Sequence, residues 1–168
     1  MRDIGFDFYW RDPYSPNLVV RGFESKSNNL KYELITSFES FEHFVKPIKE
    51  IENMIQFSGN ILFSTDLLLS TLPKPEEWWY YALESGQHIS FYSYRTLEYI
   101  AKKYNMNFCS NGRNTHMFTK NRKINNKIFN FLLKYQKYGL CFYVKRKTKS
   151  LTVADMNFLI SELKNRCK

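Results

Sequence analysis

The chain has 168 residues and a mass of 20.3 kDa, so we expect a single domain that buries roughly 70% of the surface of its unfolded chain. Hydrophobic residues make up 43% of the sequence and aromatic residues 18%, a composition that excludes an intrinsically disordered protein. The net charge of +9 is unevenly divided, because residues 1–98 hold 9 Lys/Arg against 14 Asp/Glu and residues 99–168 hold 16 against 2. This basic second part predicts a surface that meets phosphate or another acidic group, with drift toward lysine on a solvated face as the alternative.

Cysteine usage and hydropathy exclude further classes of protein. The three cysteines, Cys109, Cys141 and Cys167, are odd in number, widely spaced and without a CxxC pair. This argues against a disulfide scaffold or a zinc ribbon and fits a reducing compartment. The longest apolar run, residues 61–72, contains Asp66 and is too short to span a bilayer. We therefore expect a cytoplasmic protein without a transmembrane segment.

The first 120 residues alternate short apolar runs with helical patterns, which predicts an α/β sheet with helices on its faces. In chain order, the patterns predict a strand at residues 6–11 that ends at Asp12, a strand at 32–38, a helix from Pro47 to Ser58-Gly59, and a buried strand at 60–65. A long loop with the aromatic run Trp78-Trp79-Tyr80-Tyr81 follows. Loops of this length are typical of lids and binding loops.

After this loop the patterns predict a helix capped by Ser93 and a hairpin-like pair of strands at residues 107–109 and 116–119. Beyond Arg122 the pattern changes to helices, with one at 124–138 and a last one that begins with the capping-box-like pair Thr152 and Asp155. We therefore predict a domain at residues 1–122 and a basic helical extension at 123–168.

The run Glu39-Ser40-Phe41-Glu42-His43 directly follows a predicted strand. Open α/β sheets bind their ligands at the carboxyl ends of their strands, and one turn of helix brings side chains at this spacing toward one point. Oxygen and nitrogen donors of this kind suit a divalent metal, whereas His43 alone suits a general base. The other interpretation is a solvated helix start, where the helix dipole favours acidic residues.

Two more positions are candidates for chemistry. His88 lies beside a glycine in the loop before a helix, where it either turns into a cleft or packs and caps. Asp12 follows a predicted strand, where a carboxylate accepts two hydrogen bonds from a ribose diol; a plain Asp-Pro turn is the alternative.

In this order, residues 1–120 resemble the later part of a class I S-adenosylmethionine-dependent methyltransferase of the short bacterial type. The runs that carry the resemblance are YELITSFESFEHFVKPIKEI, NILFST and GQHISFYSYRTLEYI, followed by a terminal pair of strands. The resemblance implies a Rossmann-like sheet in which Asp12 holds the cofactor ribose and Phe38 and Glu39 line the cofactor pocket. It also implies that His43 and His88 face the substrate as catalytic residues.

The E-x-x-E-H run with a distant histidine also resembles the metal site of small-RNA 3′-terminal 2′-O-methyltransferases, and a related run occurs in O-methyltransferases of the ubiquinone pathway. This resemblance implies that Glu39, Glu42, His43 and His88 chelate Mg²⁺ or another divalent metal. The metal would lower the pKa of a bound hydroxyl.

One departure from the family is the absence of its Gly-rich first motif, because the six glycines of this chain are scattered. That motif receives the methionine end of the cofactor. We therefore expect an N-terminally truncated sheet that lacks its first strand and helix. Three alternatives explain this: the chain starts too late, it is a remnant, or an upstream fragment completes it. We also expect weak or no binding of S-adenosylmethionine by these residues alone.

Three functions remain open from the sequence. The first is methyl transfer to an oxygen or nitrogen of a small polar acceptor such as a sugar or nucleotide, with His43 or His88 as the base and residues 78–81 covering the site. The second is a non-catalytic methyltransferase remnant. The third is a module in which residues 99–168 bind nucleic acid or an acidic surface, with a steep dependence on salt.

Overall fold

The computed structural model describes residues 1–12, 22–25 and 31–166, and the chain divides into two compact units. One unit consists of Met1–Asn28 together with Lys134–Lys168, and the other consists of Asn29–Leu133. The second unit contains the sheet and the predicted site residues 38–88. The division into a domain of residues 1–122 and a basic extension of 123–168 stays a prediction, and the contacts group residues 123–133 with the sheet.

The sheet of the second unit has four strands in the order β1-β2-β4-β3. Their bounds are β1 Ile35–Ser37, β2 Asn60–Ser64, β3 Asn107–Ser110 and β4 Thr115–Thr119. β1 and β2 are parallel, with Ile35 opposite Ile61, whereas β4 runs antiparallel to both β2 and β3. The predicted α/β class, with a terminal strand pair on a Rossmann-like sheet, is therefore confirmed.

Two helices connect the strands of this unit, α1 Pro47–Phe57 and α2 Tyr94–Lys103. Proline suits the first turn of α1 because its ring sets the helical φ and its missing N–H needs no partner there. α2 begins at a cap in which the Ser93 Oγ accepts the backbone N–H of Thr96 at 3.1 Å. α1 is the crossover that a parallel strand pair requires.

The core lies between the sheet and these two helices. The rings of Phe41 and Phe63 stack with their centroids 4.0 Å apart and 9° between their planes. Both rings are fully buried. Around them pack further buried apolar side chains, namely Ile51, Ile61, Tyr92, Leu97, Ile100, Ala101, Met106 and Phe118. The alternation of burial along β2 is what a strand with one covered face requires.

Helices also form at the end of the chain. α3 Asn126–Tyr135 starts in the second unit, and a π-helical segment Gln136–Leu140, α4 Cys141–Lys147 and α5 Thr152–Arg166 follow in the first. The helix predicted at 124–138 therefore continues through a wider turn rather than ending. Among the described residues, no helix combines the length and the apolar character needed to cross a bilayer.

The strand predicted at residues 6–11 is wrong. These residues form a single bridge, in which the Trp10 N–H donates to the Phe23 carbonyl and the Ser25 N–H donates to the Trp10 carbonyl. Phe6 is 40% exposed, so the aromatic alternation does not cover one face. A strand needs a continuous ladder of backbone partners, and the described residues supply residues 6–11 with one bridge only.

The capping role predicted for Asp155 is also wrong. Its carboxylate binds the Arg2 guanidinium through two hydrogen bonds, of 2.8 Å from Nε and 2.7 Å from a terminal nitrogen. This paired geometry holds the pKa of Asp155 below its ordinary value. At the start of α5 the Ser150 Oγ accepts the N–H of Thr152 instead. A long-range ion pair has thus replaced a local cap.

Candidate active site

The polar segment after β1 begins with a sharp backbone turn at Glu39. Glu39 has a φ of 49°, in the left-handed region that residues other than glycine rarely adopt. Ser64, at the end of β2, fixes this turn, because its Oγ accepts the Glu39 N–H at 2.8 Å and donates to the Glu39 Oε1 at 2.6 Å. Burial raises the pKa of the nearby Asp66, which the charge of Glu39 raises further and that of Arg113 lowers. The two bonds between Glu39 and Ser64 lie at the carboxyl edge of the parallel strands, where open α/β sheets bind ligands.

Glu42 is a buried acid in the 3₁₀ turn Phe41–His43. Its backbone carbonyl accepts the N–H groups of Ile89 and Ser90 at 2.9 and 3.0 Å. Among the described residues, neither oxygen of its fully buried carboxylate makes a well-formed hydrogen bond, although the phenol of Tyr80 lies close to it. A buried carboxylate without a partner is unfavourable in a protein interior, and coordination of a cation removes that penalty.

The segment of residues 87–92 runs alongside this 3₁₀ turn and is tied to it by side-chain hydrogen bonds as well. These are His43 Nδ1 to the Gln87 carbonyl at 2.9 Å, Ser90 Oγ to the Phe44 carbonyl at 2.6 Å and Tyr92 Oη to the Phe41 carbonyl at 2.9 Å. These bonds bring His88 next to His43, although Gln87, the partner of His43, is 44 residues away from it in the chain. The two imidazole rings lie 4.9 Å apart at 78°.

Hydrogen bonds to backbone carbonyls set the tautomer of both imidazoles. His43 Nδ1 lies 2.9 Å from the Gln87 carbonyl oxygen, and His88 Nδ1 lies 2.7 Å from the Tyr80 carbonyl oxygen. A carbonyl oxygen only accepts, so each Nδ1 carries the proton and donates it. In the tautomer with this proton placement, the electron pair is on Nε2, as in histidine ligands of metals.

Glu42, His43 and His88 form one cluster. A ligand atom from each of the three side chains lies within 4.8 Å of the others. One carboxylate and two imidazoles suit a divalent metal with open positions for a further ligand. The residues therefore fit a metal ion, both in their donor atoms and in the unpartnered carboxylate of Glu42. Glu39, predicted as a fourth ligand, lies outside this cluster and binds Ser64.

Two tyrosines surround Glu42 with neutral groups. Tyr80 is buried, and its hydroxyl lies 3.1 Å from the Thr65 Oγ1. Burial raises the pKa of Tyr80 above its ordinary value; the bond to Thr65 opposes this, and the charge of Glu42 adds to it. Burial also raises the pKa of Tyr92 to about 12, again with a contribution from Glu42. Both phenols therefore stay protonated at neutral pH.

His116 on β4 supports the same edge of the sheet from inside. It is fully buried, with Nδ1 2.9 Å from the Ser110 Oγ and Nε2 2.9 Å from the Thr65 carbonyl oxygen. Burial lowers the pKa of His116 to about 4, so the ring is neutral at pH 7 and its Nε2–H donates to Thr65. Both ring nitrogens are occupied, which makes His116 a structural residue.

The structure brings together three of the predicted site residues. Phe38 and Glu39 follow β1 at the edge of the sheet, and Phe38 is 54% exposed. Asp12 belongs to the first unit, where its side chain is exposed. Sequence reasoning missed Tyr80 as the residue that holds His88, because its only signal was membership of an aromatic run. The contributions of Ser64 and Thr65 had no signal in the sequence.

The fold and this edge cluster define an α/β protein with its polar site at the carboxyl ends of parallel strands. A family model described as "Methyltransferase domain" matches residues 1–110. The chain belongs to this methyltransferase family, and the resemblance to class I S-adenosylmethionine-dependent enzymes is confirmed. No curated protein and no solved structure matches the chain. The lack of a first strand and helix stays a prediction.

Proposed function

We propose that the chain transfers the methyl group of S-adenosylmethionine to an oxygen or nitrogen of a small polar acceptor, such as a sugar or a nucleotide. We further propose that Glu42, His43 and His88 hold a divalent metal ion at the acceptor side of the site. The family match supports methyl transfer in general. The single observation that carries the rest is the buried, unpartnered carboxylate of Glu42 beside two oriented imidazoles.

A methyltransferase domain implies S-adenosylmethionine as the methyl donor, and the chain offers groups that suit it. Phe38 presents an exposed aromatic side chain, and Glu39 stands at the turn after β1. The bound cofactor supplies a methyl group on a positively charged sulfur.

The metal ligands would act by orientation as well as by charge. Both histidines enter the site with their tautomers fixed, so neither needs to rearrange when a ligand arrives. Glu42 is held through its own backbone carbonyl by two N–H groups. A divalent ion held by these three side chains supplies a Lewis acid that lowers the pKa of an acceptor hydroxyl.

The same geometry supports a second assignment in which no metal takes part. Each Nε2 carries a free electron pair, so His43 or His88 would accept the proton of the acceptor as a general base. Such a base typically contributes 10²–10⁴-fold to the rate. The two assignments differ in their response to a chelator.

The aromatic run of residues 78–81 is proposed to cover the acceptor. Trp78 and Tyr80 are buried anchors, whereas Trp79 is 75% exposed. The rings of Trp78 and Tyr80 pack 5.2 Å apart, and Tyr80 also holds His88 through its carbonyl. Trp79 is thus carried on a segment fixed to the site, where it excludes water from a bound acceptor.

The test measures metal content and methyl transfer on the same preparation. The purified protein is assayed for bound metals by inductively coupled plasma mass spectrometry, and then for transfer from methyl-labelled S-adenosylmethionine to a panel of sugars and nucleotides, with and without EDTA. We expect about one divalent ion per chain and a transfer rate that EDTA abolishes. The Glu42→Gln variant should behave like the EDTA-treated protein, and the exposed loop variant Glu84→Gln should behave like the wild type.

Full transfer in EDTA would exclude the metal and leave the histidines as general bases. A protein that binds the metal but transfers no methyl group to any acceptor would support the non-catalytic remnant instead. The metal and the methyl-transfer parts of the proposal therefore fail separately.

A further inference from the structure

A second candidate site lies in the same unit, at the end of the sheet opposite to Glu42. Two cavities of about 360 and 230 Å³ meet there and share Lys102, Met106, Asn107 and Arg122 in their walls. Asn107 begins β3, and the strand register sets it opposite Thr119, which in turn faces Asn60 at the start of β2. β2 spans about 13 Å between the two ends of the sheet.

The walls of these cavities are basic. Lys102 and Arg122 line both cavities and Lys120 lines the smaller one; we call the surface that these three residues define the basic groove. Glu98 is the acid in its wall, and it binds Lys102 at 3.1 Å in an exposed i,i+4 pair of the kind that contributes little. Within the described part of the chain, Lys120 and Arg122 make no ion pair.

The surrounding sequence keeps this surface free of negative charge. Residues 99–133 contain seven Lys or Arg and no Asp or Glu. The α3 helix adds to the positive field, because its first turn lies at the cavity wall, where the Asn125 Oδ1 accepts the N–H groups of Lys127 and Ile128. An anion is therefore the ligand that this end of the sheet favours.

The groove also has a fixed floor. Lys120 donates its backbone N–H to the Gly59 carbonyl at 2.9 Å, and the carbon stem of its side chain packs over Gly59, where a Cβ would lie 3.2 Å from Cδ. The stem is thus held against backbone while the amine stays exposed. Asparagine amides at positions 105, 107 and 125 add hydrogen-bonding groups to the walls.

We propose that the basic groove binds the phosphate backbone of a single-stranded nucleic acid. Cations in two adjoining cavities suit successive phosphates along a strand better than they suit one phosphate group. The polar amides and Phe108 in the wall suit the sugars and bases that lie between phosphates. This site is separate from the proposed methyl-transfer site, and its test does not depend on catalysis.

The test is fluorescence anisotropy of a labelled 20-nucleotide single-stranded RNA titrated with the full chain at several salt concentrations. The groove variant is Lys102→Gln/Lys120→Gln/Arg122→Gln. The matched control, Lys49→Gln/Lys74→Gln/Arg95→Gln, removes the same charge from exposed positions of the same unit. Each contact released from a single strand lowers the slope of log K against log salt by about 0.7.

We expect the groove variant to bind at least tenfold more weakly than the wild type, with a salt slope smaller by about 2. The control should change affinity less than about threefold, and a Lys102→Arg/Lys120→Arg variant should retain wild-type affinity. Thermal midpoints of all variants identify any that fail to fold. An equal loss of RNA affinity in the groove variant and in the matched control would overturn the proposal. Competition by AMP or inorganic phosphate at the same concentration of phosphate groups as the RNA would assign the groove to a single phosphate and also overturn it.

Discussion

The two ends of one small sheet differ in how they hold their polar groups. At the carboxyl end of β1 and β2, Glu42 is buried, and the imidazoles of His43 and His88 are fixed by backbone carbonyls. At the opposite end, Lys102, Lys120 and Arg122 are exposed, and the stem of Lys120 packs over Gly59. Few atoms are fixed at the second end, but its net charge is high.

This difference separates two kinds of recognition. Coordination of a metal, as proposed for the first end, needs donor atoms at set positions, and the side chains there are held by several hydrogen bonds. Binding of a polyanion, as proposed for the second end, needs charge density more than fixed geometry, and the cations there are exposed. If the two ends work in these two ways, substitutions at one end should leave binding at the other end unchanged.

The largest expected effect is the loss of metal-linked stability in His88→Ala. At a free Mn²⁺ concentration of 1,000 times its Kd, binding stabilises the folded wild type by about 4.1 kcal/mol. Removing His88 deletes a ligand, so nearly all of this gain should vanish in a thermal unfolding experiment. Gln87→Ala is the control, because Gln87 holds His43 through its backbone carbonyl, which the substitution keeps. A similar gain in His88→Ala and wild type would show that the ion binds elsewhere.

The stability of the protein at acidic pH should depend on His116, which supports the carboxyl end of the parallel strands through its bond to the Thr65 carbonyl. The folded-state pKa of about 4 lies below the ordinary value of 6.5. The neutral ring therefore contributes stability that is fully present above pH 6.5 and is lost as the pH falls toward 4. This difference in the pKa of His116 corresponds to about 3 kcal/mol in the free energy of unfolding. In urea unfolding across this pH range, His116→Gln should be less stable than wild type at pH 7 and lose less stability on acidification. Parallel curves for the two proteins would contradict this.

Tyr80→Phe should have an intermediate effect. It removes the hydroxyl that meets Thr65 and faces Glu42, but it keeps the backbone carbonyl that orients His88. We expect a loss of stability of about 1 kcal/mol and a fall in Mn²⁺ affinity of about tenfold, as for groups that support metal ligands. Calorimetry measures the affinity, and Tyr81→Phe is the neighbouring control. An unchanged Mn²⁺ affinity would show that the Tyr80 hydroxyl does not support the metal site.

The smallest effect should come from the triple variant of the basic groove, Lys102→Gln/Lys120→Gln/Arg122→Gln, on metal binding. The groove lies beyond a Debye length from Glu42 along β2 at physiological salt. Its charges should therefore change Mn²⁺ affinity less than about twofold in a calorimetric titration at 0.15 M salt. A larger change would mean that the two ends of the sheet are coupled.

The elements with a clear periodic pattern could be predicted from the sequence. β2 carries a continuous apolar run, and α2 combines a Ser93 cap with apolar residues on one face, so both were located within a residue or two. The strand predicted at residues 6–11 had the same local signal but formed one bridge. Alternation of apolar and polar residues predicts that one face of a segment is buried. A strand also needs a neighbouring strand to pair with, and the local pattern contains no information about that neighbour.

The site was predicted in part for a similar reason. Helical spacing placed Glu39, Glu42 and His43 on one turn, but the left-handed backbone at Glu39 starts the 3₁₀ turn later, at Phe41. Glu39 consequently contacts Ser64, and His88 takes its place beside His43. The bonds that hold the two histidines end on backbone carbonyls, which have no signature in residue type.

The decisive measurement is a calorimetric titration of Mn²⁺ into metal-free wild type, Glu42→Gln and Glu39→Gln. We predict one site in the wild type, an affinity within about threefold in Glu39→Gln, and a loss of more than about 100-fold in Glu42→Gln, because only Glu42 lies with the two histidines. Wild-type affinity in Glu42→Gln, or an equal loss in both variants, would contradict a metal site built on the buried carboxylate.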